Sequence, residues 1–296
     1  MNTYHAFHPD FAAVIWPKAE LRQLASGMAF TEGPVYLPDQ QCVLFSDIPN
    51  NTIMRWDEQD GLSTWVARSH FAIGLTLDSA RRVIACEHAT KRLARYEEDG
   101  TATVLAASHG GAALNSTNDV ALHPGGALYF TDPPFGVRSE AGELVGYQVG
   151  MDYGGCFVFR VTDDPHAPQP IITDIHRPNG LCFSPDGSVL YVSDSSERFH
   201  QVYAADMQPD GSATNLRVFC VCPAGVPDGM RVDTIGRLYV SALDGVYVYA
   251  PDATLLGRIN VPEMVTNCTF GGKSKQALFI TAVSSLYAVD LAATGV

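Results

Sequence analysis

The chain of 296 residues carries 19 Lys and Arg against 32 Asp and Glu, so its formal charge is −13, and 46% of its residues are hydrophobic. An acidic chain without a basic cluster is a poor ligand for nucleic acid or an anionic membrane surface, and we predict neither partner. No apolar run reaches the roughly 18 residues of a membrane span, and the first residues lack the basic and apolar pattern of a secretion signal. Seven scattered cysteines without a Cys-x-x-Cys pair then favour a reducing, cytoplasmic location.

Short apolar runs rich in β-forming residues recur along the chain and predict an all-β protein. The central runs are residues 43–46, 83–86, 128–131, 189–193, 238–241 and 278–281. Turn pairs such as Asp60-Gly61 and Asp186-Gly187 precede or follow them, and after most runs comes a second, alternating strand. Helical periodicity does not extend over any length beyond a turn or two near residues 11–24.

A short phrase also recurs six times, and in five cases its first residue carries a side-chain oxygen. The phrases are Glu32-Gly33-Pro34, Ile73-Gly74-Leu75, Asn118-Asp119-Val120, Asn179-Gly180-Leu181, Asp228-Gly229-Met230 and Asn267-Cys268-Thr269. They start 41, 45, 61, 49 and 39 residues apart, and about 40 residues suffice for the four short strands of a propeller blade. We therefore predict a six-bladed β-propeller in a single domain, residues 1–296. A β-sandwich with accidental similarity is the alternative, which the nearly fixed offsets disfavour.

Two segments stand outside this repeat. The longest step contains the Gly-rich, polar insertion 133–155, which predicts a long loop or an extra hairpin near one face. Closing the ring requires a strand that joins the first and last blades, and residues 21–28 are placed to supply an outer strand to the last blade.

Equivalent positions of a circular array face its axis, so Glu32, Asn118, Asn179 and Asp228 should converge there. Two carboxylates and two amide carbonyls form an oxygen cage that suits a hard divalent cation. Ca²⁺ fits this donor set best, with Mg²⁺, Mn²⁺ and Zn²⁺ as alternatives. Taken singly, each residue is typical of an ordinary turn, and only the shared repeat position favours a metal site.

Other motifs are weaker. The sequence contains neither Gly-x-Ser-x-Gly nor His-Glu-x-x-His, so no covalent nucleophile or zinc protease site is visible. Gly272-Lys273-Ser274 resembles the end of a phosphate loop, but Asn267 stands where the upstream glycine is required. His88 follows the central strand of the second blade and either lines the pocket mouth or has a structural role. At three strand ends an aspartate recurs, which predicts blade-closing hydrogen bonds to turn backbone: Asp47, Asp132 and Asp194.

Several phrases resemble the gluconolactonase, regucalcin and luciferin-regenerating family, and are most similar to its bacterial gluconolactonase branch. They include Thr31-Glu32-Gly33-Pro34, Arg177-Pro178-Asn179-Gly180-Leu181, Pro227-Asp228-Gly229-Met230 and the segments 86–88, 114–120, 131–136 and 278–282. The resemblance runs over nearly the whole chain. It implies a six-bladed propeller with one catalytic divalent metal in its channel.

The resemblance also implies roles for particular residues. Glu32, Asn179 and Asp228 would be metal ligands, and Asn118 a further ligand or a substrate contact. Ile73 departs from the Asn of many members, so the second blade should give the ring an apolar wall. Ser116 departs from an Arg of the regucalcin branch, which leaves the particular sugar open.

Together these expectations describe a metal-dependent sugar lactonase that produces an aldonic acid. We expect the metal to polarise the lactone carbonyl, Asp228 to act as general base, and Asn118 to take part in catalysis. Substrate contacts are expected from His88 and Asn115, and the protein should be a monomer or a weak homo-oligomer. The alternatives are a phosphotriester or other ester hydrolase at the same site, or a calcium-binding propeller without catalysis.

Overall fold

The structure is a computed structural model that describes residues 2–137, 144, 146 and 151–296. Six antiparallel sheets of four or five strands follow one another along the chain, so the predicted six-bladed β-propeller is confirmed. The insertion 133–155 lies partly outside the described residues. In the described part of the chain, no helix is long and apolar enough to cross a membrane.

The N-terminal segment and the first two blades occupy the first third of the chain. Before the first blade lie β1 (Tyr4–Ala6), a 3-10 helix (Pro9–Ala13) and β2 (Arg22–Ser26). The first blade contains β3 (Thr31–Leu37), β4 (Cys42–Asp47), β5 (Thr52–Asp57) and β6 (Gly61–Ala67). The second contains β7 (Ala72–Leu77), β8 (Val83–Glu87), β9 (Arg92–Tyr96) and β10 (Ala102–Ala106), and a small hairpin follows, β11 (Ser108–His109) and β12 (Ala112–Ala113).

The remaining four blades repeat the same antiparallel order from the inside outwards. The third contains β13 (Val120–Leu122), β14 (Leu128–Asp132), β15 (Phe157–Arg160) and β16 (Gln169–Ile172). The fourth contains β17 (Pro178–Phe183), β18 (Val189–Asp194), β19 (Gln201–Met207) and β20 (Ala213–Val221). The fifth contains β21 (Met230–Val232), β22 (Leu238–Ala242), β23 (Gly245–Tyr249) and β24 (Leu255–Asn260). The sixth contains β25 (Val265–Gly271), β26 (Ala277–Ala282) and β27 (Ser285–Asp290).

The N-terminal strands close the ring. Strand β2 pairs with β27 and becomes the outer strand of the sixth blade, with Arg22 opposite Ala288. This confirms the prediction for residues 21–28. Strand β1 adds a fifth strand to the fifth blade by pairing with β24. Because the fifth and sixth blades each combine an N-terminal strand with C-terminal strands, the ring cannot open without breaking a sheet.

The apolar runs read from the sequence are the second strands of the blades. Every residue of β4, β8, β14 and β22 is buried. Each such strand packs against a neighbouring blade on both faces, which is why it reads as a continuous apolar run rather than an alternating one. Leu44, Ile84, Phe130 and Leu190 are fully buried, so the core lies between the blades and leaves the axis to the inner strands.

Candidate metal centre

The six repeat phrases lie at the start of the inner strands, where the chain enters each blade. Glu32, Ile73, Asn179 and Asn267 are in the first residues of β3, β7, β17 and β25, while Asn118 and Asp228 lie two residues before β13 and β21. The four strands that contain a repeat position all shift register there, for example between Glu32 and Val35 and between Pro178 and Leu181. A bulge of this kind bends a strand and re-aims a side chain, which here turns the repeat position toward the axis.

The glycine of the phrase allows neighbouring blades to approach each other at the axis. A Cβ on Gly180 would lie 2.4 Å from the carbonyl oxygen of Asp228 in the next blade. A Cβ on Gly229 would lie 1.9 Å from the side chain of Asn267. Both distances are too short for any side chain, so glycine is required by the close approach.

Hydroxyl groups at the ends of the second strands fix the repeat positions from the neighbouring blade. Ser46 donates to the carbonyl of Ile73 at 2.9 Å, Thr131 to that of Asn179 at 2.7 Å, and Ser193 to that of Asp228 at 2.9 Å. The side chains at the axis therefore rise from a backbone that is held by the adjacent sheet. We call the five polar repeat positions the axial ring: Glu32, Asn118, Asn179, Asp228 and Asn267.

Side chains of the axial ring are joined by hydrogen bonds. Asn118 donates through Nδ2 to Asn179 Oδ1 at 2.6 Å, and the Asn179 side chain is hydrogen-bonded to Asp228. On the other side Asn267 donates through Nδ2 to Glu32 Oε2 at 2.9 Å. The structure thus brings together the four residues that the sequence predicted, and it adds Asn267 as a group that orients Glu32.

Two neighbouring carboxylates make the axial ring electrostatically unfavourable without a cation, with Glu32 at 4% exposure and Asp228 partly exposed. Burial raises the pKa of Glu32 to about 7, against the lowering effect of the bond from Asn267. Burial also raises the pKa of Asp228 well above its usual range, and the nearby charge of Glu32 raises it further. A divalent cation beside these groups would remove both penalties by stabilising their charged forms.

The oxygen atoms of the axial ring are a second reason why a divalent cation fits this site. The Oδ1 atom of Asn118 is buried and has no hydrogen-bond partner among the described residues. A buried carbonyl oxygen is costly to leave without a partner, and coordination would satisfy it. The oxygen donors of Glu32, Asn118, Asn179 and Asp228 are those that Ca²⁺ prefers, with no sulfur or imidazole among them. No group of three or more His, Cys, Asp or Glu side chains among the described residues is arranged to hold a metal ion by itself, so an ion at the axis would need the amide oxygens.

Sequence reasoning missed the charged layer directly below the axial ring. Asp119 is buried at 2% exposure, and burial raises its pKa while the charge of Arg231 lowers it. Arg231 also lowers the pKa of Glu32, so this guanidinium is an internal counter-charge for both carboxylates. Both residues lie inside or beside the repeated phrases, but spacing along the chain does not indicate a charge interaction between different blades.

The two predicted substrate contacts lie in buried, hydrogen-bonded surroundings. Asn115 donates through Nδ2 to the carbonyl oxygens of Asp132 and Gly155 and to the Tyr153 hydroxyl. Its remaining capacity for a ligand is therefore the carbonyl oxygen. His88 is 7% exposed, and a Cβ on Gly136 would lie 2.1 Å from its imidazole ring. Their contact with a substrate stays a prediction.

The strand-end aspartates have the predicted structural role. Asp47 accepts from the backbone N–H groups of residues 29 and 30. Asp132 accepts from those of residues 115 and 116, and Asp194 from those of residues 177 and 196. Each carboxylate holds the loop that leads into an inner strand, so it positions the axial ring without facing it.

Comparison with known proteins places this geometry in a family. Residues 30–284 match the SMP-30/Gluconolactonase/LRE-like region. A gluconolactonase of Zymomonas mobilis is 32% identical over 93% of this chain and 82% of its own length. The pentonolactonase XacC of Haloferax volcanii is 26% identical over 89% of this chain and 91% of its own length.

A solved structure gives the same result in three dimensions. The gluconolactonase of Xanthomonas campestris superposes with a TM-score of 0.90 and 33% identity, over 98% of this chain and 95% of its own. The match thus covers all six blades and the axial ring that they form. The resemblance predicted from the sequence phrases is confirmed, and the chain belongs to the SMP-30/gluconolactonase/LRE-like family.

Proposed function

We propose that this protein is a metal-dependent hydrolase that opens a sugar lactone to the aldonic acid. The observation that carries the proposal is the buried, partnerless Oδ1 of Asn118 in a hydrogen-bonded chain with Asp228, whose carboxylate is close enough to Glu32 to be shifted by it. The relatives that carry lactonase names support the substrate class, because they match the chain over most of its length.

Glu32, Asn118, Asn179 and Asp228 would hold the divalent ion, with Ca²⁺ as the proposed metal. When bound, that ion supplies Lewis-acid polarisation of the lactone carbonyl. The two carboxylates neutralise its charge, and the neutral amides complete the oxygen set without excess negative charge. The second blade contributes an apolar wall between Glu32 and Asn118, because Ile73 occupies its repeat position.

Asp228 is the proposed general base. Its burial and the charge of Glu32 make the carboxylate more basic than an exposed aspartate, while a neighbouring cation acts in the opposite direction. We assign this carboxylate to take a proton from the attacking water. The same proton can then pass to the ring oxygen as the C–O bond breaks, so no covalent nucleophile is needed.

A lactone panel tests the activity. Five- and six-membered aldonolactones added to unbuffered protein should release acid, and a chelator should stop the release until Ca²⁺ is restored. If the protein hydrolyses phosphotriesters and does not turn over lactones, the alternative of a phosphotriester or other ester hydrolase would take the place of this proposal. Absence of any turnover with bound Ca²⁺ would leave a calcium-binding propeller.

Asp228→Asn tests the role of the base separately from metal binding. The variant keeps an oxygen for the ion but cannot accept a proton, so kcat should fall by roughly 10²–10⁴-fold even at saturating metal. Asn118→Ala is the matched control, because it removes a neutral donor and retains the base. Near wild-type kcat in Asp228→Asn at saturating Ca²⁺ would show that Asp228 is only a ligand.

A further inference from the structure

A second cavity lies at the other end of the propeller axis. It has a volume of about 590 Å³ and is lined by the later residues of the inner strands and by the hairpin turns that follow them. Val35, Thr76, Leu181 and Thr269 lie two or three residues beyond the repeat position of their strand. Because a strand rises about 3.3 Å per residue, these residues lie farther along the axis than the ring, and the cavity opens on the opposite face.

The charge of this cavity contrasts with that of the protein. Its charged side chains are Arg231, Lys273 and Lys275, and no Asp or Glu lines it. The sequence contains only four lysines and carries a net charge of −13, so two of the four lie at this one cavity. Val296 also lines the mouth, and a carboxylate there would still leave a net charge of two positive.

None of these three cationic side chains forms an ion pair within the described residues. The Arg231 guanidinium donates to the main-chain carbonyls of Met230 at 2.7 Å and Pro34 at 3.5 Å. Among the described residues, no carboxylate lies within ion-pair distance of Arg231, Lys273 or Lys275. Arg231 shares its charge with Glu32 and Asp119, whose pKa values it lowers, so Lys273 and Lys275 supply most of the positive field of the cavity.

Both lysines are held over the mouth by the turn between β25 and β26. The Lys275 N–H donates to the carbonyl of Gly272 at 3.1 Å, and the Gly295 N–H donates to the carbonyl of Lys275 at 2.8 Å. The inner walls are largely apolar, with Val120, Leu181 and Phe270 among them. A cationic rim above an apolar wall fits a ligand with one anionic group and a compact apolar body.

We propose that this cavity is a binding site for a small organic anion, a carboxylate or a phosphate monoester with an apolar body. Arg231 and the two lysines bind the anionic group, and the apolar strand residues pack against the body. Because the site is separated from the axial ring along the channel, it does not depend on lactone hydrolysis. Its ligand therefore binds the protein with or without lactone present.

Calorimetry with two aromatic anions tests the site. Benzoate and phenyl phosphate are titrated into the full chain, with benzylamine as a cation of similar shape. We expect at least one of the two anions to bind and benzylamine not to bind. The anion with the lower Kd identifies which charged group, carboxylate or phosphate, the site prefers. Lys273→Glu and Lys275→Glu should each weaken the binding by about tenfold or more.

Lys18→Glu is the matched control, since this exposed lysine lies outside the cavity and the substitution changes the net charge equally. It should bind the anions like the wild type. Ca²⁺ affinity at the axial ring should be unchanged in all three variants, which shows that they fold and separates this site from the proposed function. The proposal would be overturned if Lys18→Glu lost as much anion affinity as the cavity variants, or if benzylamine bound as well as the anions. It would also be overturned if neither anion bound at 10 mM, roughly the limit of a specific site.

Discussion

Asn267→Ala is the most informative perturbation of the axial ring, because it changes a group that orients a ligand and is itself not a predicted ligand. Asn267 is 2% exposed, and its Nδ2 donates to Glu32 Oε2 at 2.9 Å. Its Oδ1 accepts from the backbone N–H of Cys268 at 2.9 Å. Both polar ends of the amide are therefore fixed, and the carboxylate of Glu32 is held by a rigid donor.

The size of the effect follows from the number of bonds lost. Alanine removes one hydrogen bond to a charged group, which is worth about 1.5–3 kcal/mol. That corresponds to roughly 10–100-fold in an equilibrium constant, the range found when groups that orient metal ligands are removed. Glu32 keeps the donor of Gly33, so binding should be weakened and not abolished. The lost bond also lets the pKa of Glu32 rise, which adds proton competition in the same direction.

Calorimetric titration of Ca²⁺ into the variant measures the effect. Asn260→Ala is the control, because this asparagine lies in the outer strand β24 and its Nδ2 donates to the carbonyl of Asn2 at 2.8 Å. We expect unchanged Ca²⁺ affinity in the control and a 10–100-fold loss in Asn267→Ala. An affinity within about twofold of the wild type in Asn267→Ala, with the fold intact by urea unfolding, would refute the role of the amide; twofold is only about 0.4 kcal/mol.

Three further predictions address the ring and its support. Glu32→Gln should weaken Ca²⁺ binding about tenfold or more beyond Asn118→Ala. The first substitution removes a charge from the site, whereas a water can replace the neutral oxygen that the second removes. Equal Ca²⁺ affinities of the two variants by calorimetry would contradict these roles. Because burial raises the pKa of Glu32 to about 7, a proton competes with the ion below that value, so the apparent Kd for Ca²⁺ should rise by at least about tenfold per pH unit from pH 7 to 5, and the raised pKa of Asp228 adds to the slope. A flat profile would exclude this competition. Tyr153→Phe removes the hydroxyl that donates to the buried Asp132 carboxylate and should lower the free energy of unfolding by about 1–3 kcal/mol in urea. Tyr203→Phe should cost less, because its hydroxyl accepts from the neutral amide of Gln201.

The architecture could be predicted because two independent sequence patterns indicate the blades. Buried second strands such as β4 and β14 appear in the sequence as apolar runs, and the phrases at the inner strands recur at blade length. Even ring closure by β2 followed from the position of residues 21–28 outside the repeat. The hairpin of β11 and β12 was not predicted, since two-residue strands leave no periodic signal. That residues 1–296 form a single domain stays a prediction.

The axial ring was only partly predictable. Repeat position identified Glu32, Asn118, Asn179 and Asp228, but it cannot distinguish an amide that ligates from one that orients. Asn267 shares that position, and only its bond to Glu32 shows what it does. Arg231 was missed for a different reason. Its charge acts on Glu32 and Asp119 across blades, and such a contact has no counterpart in sequence spacing.

A repeat produces functional and structural polar residues with equal regularity, so regularity alone does not identify a site. Asp132 is one of the aspartates that recur at three strand ends, yet its oxygens accept two backbone N–H groups and the Tyr153 hydroxyl. An unsatisfied atom is not sufficient either, because Oδ2 of Asp194 is also buried without a partner among the described residues. The axial ring differs because the partnerless oxygen of Asn118 belongs to a hydrogen-bonded chain that ends at Asp228, whose pKa Glu32 raises. A positive ion would relieve both the missing partner of Asn118 and the repulsion between Glu32 and Asp228. At Asp132 burial raises the pKa, and the Tyr153 and backbone donors act against that rise.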